Sequence, residues 1–198
     1  MAANTYLTPE ERTLLESVRV GIAGAGGLGS NCAMHLVRSG VKHITIADFD
    51  VVNESNLNRQ FFFRDQIGQK KVEALKANLL RIEPDADIRI VDTKLDASST
   101  KELFADCTIV VEAFDVVEAK AMILAALAGS GKKLVTASGL AGWGRSNAMM
   151  VRKMGNIVAI GDGETSVGDG AAPVSPRVGI AAAMQANAVV SLLLGCEP

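Results

Sequence analysis

Three kinds of residue in this chain have types and spacing suited to chemistry on a nucleotide. The run Gly24-Ala25-Gly26-Gly27-Leu28-Gly29 follows the apolar stretch Val20 to Ala23 and opens a helical segment from about Gly29 to Arg38. Glycines let the backbone approach a phosphate, and a helix N-terminus adds free N–H groups and the positive end of a dipole. Asp48 ends the next apolar run, Ile44-Thr45-Ile46-Ala47, and is placed to accept hydrogen bonds from a ribose diol. Strand, glycine turn, helix, strand and acid in register point to an adenine nucleotide, but leave NAD and ATP equally open. The residues that separate the two come later. Arg59 lies in the polar stretch after Asp48, Lys71 in Gly68-Gln69-Lys70-Lys71, and Asp115 just beyond the apolar run Thr108 to Val111. An enzyme that cleaves ATP needs such cations, and a carboxylate that holds Mg2+ against phosphate oxygens, because charge builds on the leaving pyrophosphate. A dehydrogenase needs none of them near its phosphates.

These groups need a scaffold that brings them to one edge. Thr8-Pro9-Glu10-Glu11 is a capping box with proline at the first helical position, so a short helix runs to about Ser17. After the first strand–helix–strand unit comes a long polar connection, 49–66, of a length usually reserved for function. Apolar residues near helical spacing at Val72, Leu75, Leu79 and Leu80 predict a helix over 67–82, ended by Pro84. A strand at 88–91, a short helix at 99–104, a strand at 108–111, a helix at 116–128 and a strand at 134–137 follow. Stretches 148–153 and 156–160 form an antiparallel pair; 161–176, rich in Gly, Ser, Pro and Ala, reads as a mobile loop; a last apolar helix begins near Arg177. The expected fold class is α/β: a Rossmann-like, mostly parallel sheet flanked by helices, with an antiparallel edge in the C-terminal part. In such sheets ligands bind beyond the carboxyl ends of the strands, where the glycine run, Asp48 and Asp115 share one crevice.

Composition sets the bounds. A chain of 198 residues suits one domain, 1–198, and 48% hydrophobic residues supply a sizeable core. A net charge of −2 without a long basic run argues against nucleic acid as the partner. Val178 to Leu194 is the most apolar stretch, but Gln185, Asn187 and Ser191 interrupt it, which suits a buried helix better than a membrane span. No secretory signal is present, and Cys32, Cys107 and Cys196 are scattered and odd in number. Both features place the protein in the cytoplasm with reduced thiols.

In five segments, Gly24 to Gly29, Asp48-Phe49-Asp50, Ser55-Asn56-Leu57-Asn58-Arg59-Gln60, Gly68 to Glu73 and Glu112-Ala113-Phe114-Asp115, the chain resembles the ThiF/MoeB adenylyltransferases, relatives of the ubiquitin-activating enzymes. The resemblance spans residues 20 to about 138; Ser138-Gly139 and Ala172-Pro173 to Gly179 further resemble short ThiF-type members tied to thiamine synthesis. It implies that the C-terminal glycine carboxylate of a small ubiquitin-like sulfur carrier, ThiS-like and ending in Gly-Gly, attacks the α-phosphate of MgATP. The products are an acyl-adenylate and pyrophosphate. By motif position, Asp48 would bind the ribose, Asn56, Arg59 and Lys71 the phosphates, and Asp115 the Mg2+; Gly24, Gly26, Gly27, Leu28 and Gly29 would lie against the nucleotide. Asp50 and Gln60 are further candidate contacts. A carboxylate nucleophile is already ionised, so positioning and charge neutralisation suffice without a general base. The resemblance also implies a homodimer.

The chain departs from many such proteins in lacking Cys-X-X-Cys pairs, so no zinc is expected. Residues 161–177 contain no cysteine to take a carrier as a thioester. Plainer readings stand beside the functional ones. Lys71 also reads as a solvated helix lysine, as Lys70 does, Arg59 as a brace for its loop, Asp50 as an Asx-turn residue and Asp115 as a helix N-cap. Trp143, between Gly142 and Gly144, reads as packed, with contact to the carrier's tail as its functional alternative; Phe61-Phe62-Phe63 reads as core or dimer contact, and His35 and His43, which carry no pairing signal, as structural. A molybdopterin-type (MoaD) carrier, an NAD(P)-dependent oxidoreductase and a nucleotide-binding scaffold without catalysis remain the alternatives.

Overall fold

In a computed structural model, residues 6–166 and 170–198 are described. They place seven strands in one sheet of order β3-β2-β1-β4-β5-β7-β6. In chain order the elements are α1 (Pro9–Ser17), β1 (Arg19–Ala23), α2 (Gly27–Arg38), β2 (His43–Ala47), α3 (Lys71–Leu80), β3 (Asp87–Val91), α4 (Ala97–Leu103), β4 (Ile109–Glu112), α5 (Val117–Leu127), β5 (Lys133–Ala137), β6 (Met150–Met154), β7 (Ile157–Gly161) and α6 (Ser175–Leu193). All neighbouring pairs are parallel except β6–β7, the antiparallel edge. The α/β class and its edge therefore stand as expected.

The strand sequences explain the layering. β1, β4 and most of β2 and β5 are buried along their whole length, as continuous apolar runs covered on both faces should be. One face packs Leu15 of α1, Leu28 and Leu36 of α2, Leu75 and Leu79 of α3 and Ala181 and Val189 of α6 against Ile22, Ile44 and Val111. The other packs Phe104, Ile123 and Leu127 against Ala23, Val110 and Leu134. Among the described residues, no helix is long and apolar enough to cross a membrane.

Several boundaries differ from expectation for local reasons. α2 begins at Gly27 because the last glycines of the loop are already helical, with Gly26 as its cap. α3 begins only at Lys71, since Gly68 is left-handed (φ 89°) and its N–H bonds back to Val52 O, which makes 67–70 a turn. α4 starts at Ala97 because Asp96 caps it, accepting from Ser99 N–H at 2.8 Å. α6 starts at Ser175, its proline at the start of the helix, where no intrahelical N–H is needed. The expected mobile loop over 161–176 is in part well tied down: Gly161 belongs to β7, and Asp162 accepts from the N–H groups of Glu164 and Thr165, both at 2.9 Å. The rest of that expectation, at 167–169, lies outside the described residues.

Candidate active site

The glycine run forms the turn between β1 and α2. Gly24 sits at φ 102°, a conformation that L side chains rarely adopt. A Cβ on Gly29 would fall 1.8 Å from Gly24 O, so helix and turn touch with no room for a side chain. The first N–H groups of α2 thus open at the carboxyl edge of the sheet, beside the ends of β2 and β4.

Asp48 braces this turn. Its Oδ2 accepts Ala25 N–H at 2.6 Å and its Oδ1 accepts Asp50 N–H at 2.8 Å. The Asx turn expected at Asp50 is therefore made by Asp48. Carboxylate oxygens carry more than one lone pair each, so Asp48 keeps acceptor capacity for a ribose. Asp50 instead faces Lys71: Nζ lies 2.7 Å from Asp50 Oδ2, and Lys71 N–H donates to Asp50 O at 2.9 Å. Lys71 is only 6% exposed and occupies the first position of α3, where a cation opposes the helix dipole. It is not the solvated lysine of the plain reading. Lys70 is not free either; it pairs with Asp92 at 3.1 Å.

Arg59 reaches the glycine turn from the polar connection. Its Cγ and Cδ lie 3.5 and 3.6 Å from where a Cβ on Gly27 would stand. Its guanidinium donates to Ser55 O at 3.2 Å and to Asn58 Oδ1 at 2.8 Å, both neutral, and it has no ion pair among the described residues. Asn31 of α2 holds the connection in place, donating to Gly27 O at 2.7 Å and Arg59 O at 2.8 Å. Gln60 is buried, with its Nε2 3.9 Å from the Cβ position of Gly26 and its Oε1 unpartnered. Asn56 turns its Oδ1 to Asn53 N–H at 3.0 Å, which leaves its amide nitrogen available.

Asp115 lies past the end of β4. It is exposed and makes no hydrogen bond or ion pair among the described residues. It is not the N-cap of α5, a position held by Val116. A lone carboxylate suits Mg2+ arriving on a nucleotide, which keeps most of its ligands as waters and phosphate oxygens. No group of three or more His, Cys, Asp or Glu suited to a metal occurs among the described residues.

Other expectations change. Trp143 is 75% exposed, between Gly142 and Gly144, rather than packed. The aromatic run stands as expected in its core part, with Phe62 buried and Phe61 packed against the core, while Phe63 is 45% exposed and meets Phe61 edge-on at 5.8 Å. His43 has a partner, Asp87, at 3.3 Å. Burial pushes the Cys32 thiol up to about 12 and, with Asp106 beside it, the Cys107 thiol up to about 11, so neither is a nucleophile near neutral pH.

Residues that sequence reading left without a role also shape the site. Glu112 ends β4 at 1% exposure, tied to Lys120 of α5 at 3.1 Å, to the Thr136 hydroxyl and to Phe114 N–H. An acid closing the apolar run Ile109-Val110-Val111 was the available signal. Arg177 and Asp162 form a buried pair, and Arg177 also donates to Gly144 O at 2.8 Å, which anchors the Trp143 loop. Burial alone would raise the Asp162 carboxyl; the Thr165 and Glu164 N–H groups, the Thr165 hydroxyl and Arg177 outweigh it and hold it below the ordinary range.

A doubly wound sheet with a glycine turn at a helix N-terminus defines an α/β protein of the Rossmann type, with a candidate nucleotide site at the carboxyl edge of its sheet. More narrowly, the chain belongs to the ThiF family, whose model matches residues 3–198. It is similar to the SAMP-activating enzyme E1 of Haloferax volcanii, 37% identical over 108 residues, which are 54% of this chain and 40% of that protein. It is also 37% identical over 112 residues to the molybdopterin-synthase adenylyltransferase of Salmonella typhimurium, covering 56% of this chain and 45% of that one. The chain thus spans less than half the length of these curated relatives. Among solved structures it shares the fold of the E. coli tRNA N6-threonylcarbamoyladenosine dehydratase TcdA in complex with AMP, with a TM-score of 0.84 at 21% identity over 94% of this chain and 90% of that chain.

Proposed function

We propose that this protein uses MgATP to adenylate the C-terminal carboxylate of a small ubiquitin-like sulfur carrier. One observation carries the reading. At the carboxyl edge of the sheet stand a guanidinium bound, among the described residues, only to neutral oxygens, at Arg59, a buried ammonium, at Lys71, and a carboxylate without a partner among those residues, at Asp115. That set fits a triphosphate with its magnesium better than the uncleaved pyrophosphate of a dinucleotide. The names of the relatives, adenylyltransferases and an activating enzyme, and the ATP and AMP complexes of TcdA support the same reading.

In this mechanism the carrier's terminal carboxylate oxygen attacks the α-phosphorus of ATP. A new oxygen–phosphorus bond forms, the bond to the bridging oxygen of the β-phosphate breaks, and MgPPi leaves with the electron pair. No proton moves. Asp48 and the glycine turn hold the nucleoside end, Arg59, Asn56 and Lys71 take phosphate charge, Gln60 offers its buried amide, and Asp115 ligates the magnesium of the substrate. Lys71 must then share its ammonium between Asp50 and a phosphate oxygen; Asp50, half-exposed, is free to turn away.

The resemblance of the Ser138-Gly139 and 172–179 segments favours a ThiS-like, thiamine-pathway carrier, whereas the names of the relatives favour molybdopterin-type and SAMP-type ones. ATP/pyrophosphate exchange with each purified carrier, with and without its terminal Gly-Gly, decides among them. Exchange with none, together with tight NAD binding, overturns the proposal in favour of an oxidoreductase. The homodimer expected from the family is read by sedimentation in the same preparations.

A further inference from the structure

Glu112 has the contacts of a residue that fixes something else. Its carboxylate is almost fully buried, and every group around it comes from a different element. Oε1 accepts Phe114 N–H at 2.7 Å, two residues on, closing the turn that leads out of β4. Oε2 accepts the Thr136 hydroxyl of β5. Lys120 of α5 bridges both oxygens at 3.1 Å and also donates to Ala137 O at 3.1 Å. From α6, Gln185 donates to the Glu112 carbonyl at 3.0 Å.

Lys120 is in the first turns of α5, where a cation opposes the helix dipole. Its placement makes sense as the counter-ion of Glu112. With the rotamer locked from three sides, Oε1 has one orientation and Phe114 N–H one position. The next residue is Asp115. The same turn presses Ala113 O to within 2.9 Å of the Cβ position of Gly24, so it lines the crevice rather than passing beneath it.

We propose that Glu112, locked by Lys120 and Thr136, is the positioning residue for Asp115: it never touches substrate but sets where the exposed carboxylate stands against the magnesium of MgATP. This rests on the nucleotide reading above. A group that orients a metal ligand from behind typically changes metal affinity or activity about 10- to 100-fold.

The test uses the full chain with Glu112→Gln, Lys120→Met and, as reference, Asp115→Asn. Three quantities are read: thermal stability, the Kd for ATP by calorimetry with Mg2+ and with EDTA, and kcat and KM for carrier-dependent pyrophosphate exchange. Asp115→Asn should erase the Mg2+-dependent part of ATP affinity. Glu112→Gln and Lys120→Met should lose about 10-fold or more of that same part and of kcat, with the EDTA Kd unchanged. If Glu112→Gln does not fold, Lys120→Met, which keeps the Phe114 and Thr136 contacts, carries the test. Folded variants with lower stability but unchanged Mg2+ dependence and kcat would show a structural residue only and overturn the proposal. An equal loss of affinity with and without Mg2+ would overturn it too. If Asp115→Asn keeps full Mg2+ dependence and exchange, the metal assignment falls and this inference falls with it; a loss in Asp115→Asn without one in the Glu112 and Lys120 variants refutes the inference alone.

Discussion

The two edges of the parallel sheet are both rich in charge, and they use it differently. At the amino edge, Arg19, His43, Asp87, Arg89 and Asp106 gather where β1, β2 and β3 begin and just before β4. Asp87 pairs with Arg19 and lies 3.3 Å from His43, while Asp106 meets Arg89 at 2.6 Å and Arg19 at 3.4 Å. Each carboxylate there has a cation beside it. At the carboxyl edge, Asp115 and Arg59 have no opposite charge beside them among the described residues, and a third group, Lys71, is paired to a half-exposed partner. Charge-rich regions are common on proteins; leaving charges unmatched around one helix N-terminus is not what stability selects. The contrast sets a structural network apart from the proposed site without reference to any relative.

The sharpest way to break that contrast is to remove one unmatched charge. Asp115→Asn should cost about 10²–10³-fold in carrier-dependent pyrophosphate exchange, the range for one group that stabilises transition-state charge. Being exposed and unpartnered, the same change should leave stability within about 0.5 kcal/mol. Wild-type exchange rates in a folded variant would mean that the unpaired carboxylate is incidental.

Gly29→Ala attacks the geometry rather than the charge. The added methyl would stand 1.8 Å from Gly24 O, and backbone cannot yield as a side-chain tip does. Overpacking of this kind costs about 1–3 kcal/mol, occasionally more, and here it should weaken ATP binding as well. Gly40→Ala is the control: a Cβ there meets nothing within 4 Å, so only its φ of 103° is strained. It lies at the far end of α2, so ATP affinity should be untouched; equal losses of ATP affinity in the two variants would contradict the close-contact account.

Acid should act on both edges by the same sign. Hydrogen bonding to Arg19 holds the Asp87 carboxyl below its ordinary range, and the donors around Asp162 do the same there against its burial. Each folded-state value is lower than the unfolded one, near 3.9. The stabilisation is therefore complete above that unfolded value and drains away as pH falls through the folded one. Asp162→Asn should flatten the acid limb of a stability–pH curve measured by denaturant melts. A limb as steep as wild type would place the titrating groups elsewhere.

Much of this was legible in the sequence, and the gaps have physical causes. The parallel strands are continuous apolar runs and the glycine turn has its own spelling, so the fold class and the tight turn between β1 and α2 could be read directly. Asp115, Arg59 and Lys71 were nominated by motif spacing, but their environments could not be: nothing local says that Lys71 is buried against Asp50, or that Asp48 rather than Asp50 makes the turn. Glu112 depends on partners 8, 24 and 73 residues away, at Lys120, Thr136 and Gln185, which no window joins. The glycine-rich stretch after β7 looked unconstrained because its anchor, Asp162, is held by Arg177, 15 residues on. Trp143 looked like core because tryptophan usually is, yet flanking left-handed glycines present it to solvent.

The smallest effect tests the other side of the contrast. Arg89 is exposed at the amino edge, where it meets Asp106 at 2.6 Å and Asp87 only at 3.9 Å. Exposed pairs contribute about 0.2–1 kcal/mol at most, and Arg19 still faces both carboxylates once Arg89 is gone. Arg89→Ala should therefore shift stability by less than about 1 kcal/mol in chemical denaturation and leave ATP affinity and exchange at wild-type values. The prediction is informative because Arg59, also a partly exposed arginine with short contacts, should behave in the opposite way, with exchange lost and stability kept. If Arg89→Ala lowered exchange as Arg59→Ala does, matched and unmatched charge would no longer distinguish the two edges, and the carboxyl-edge cations would lose their claim to a special role.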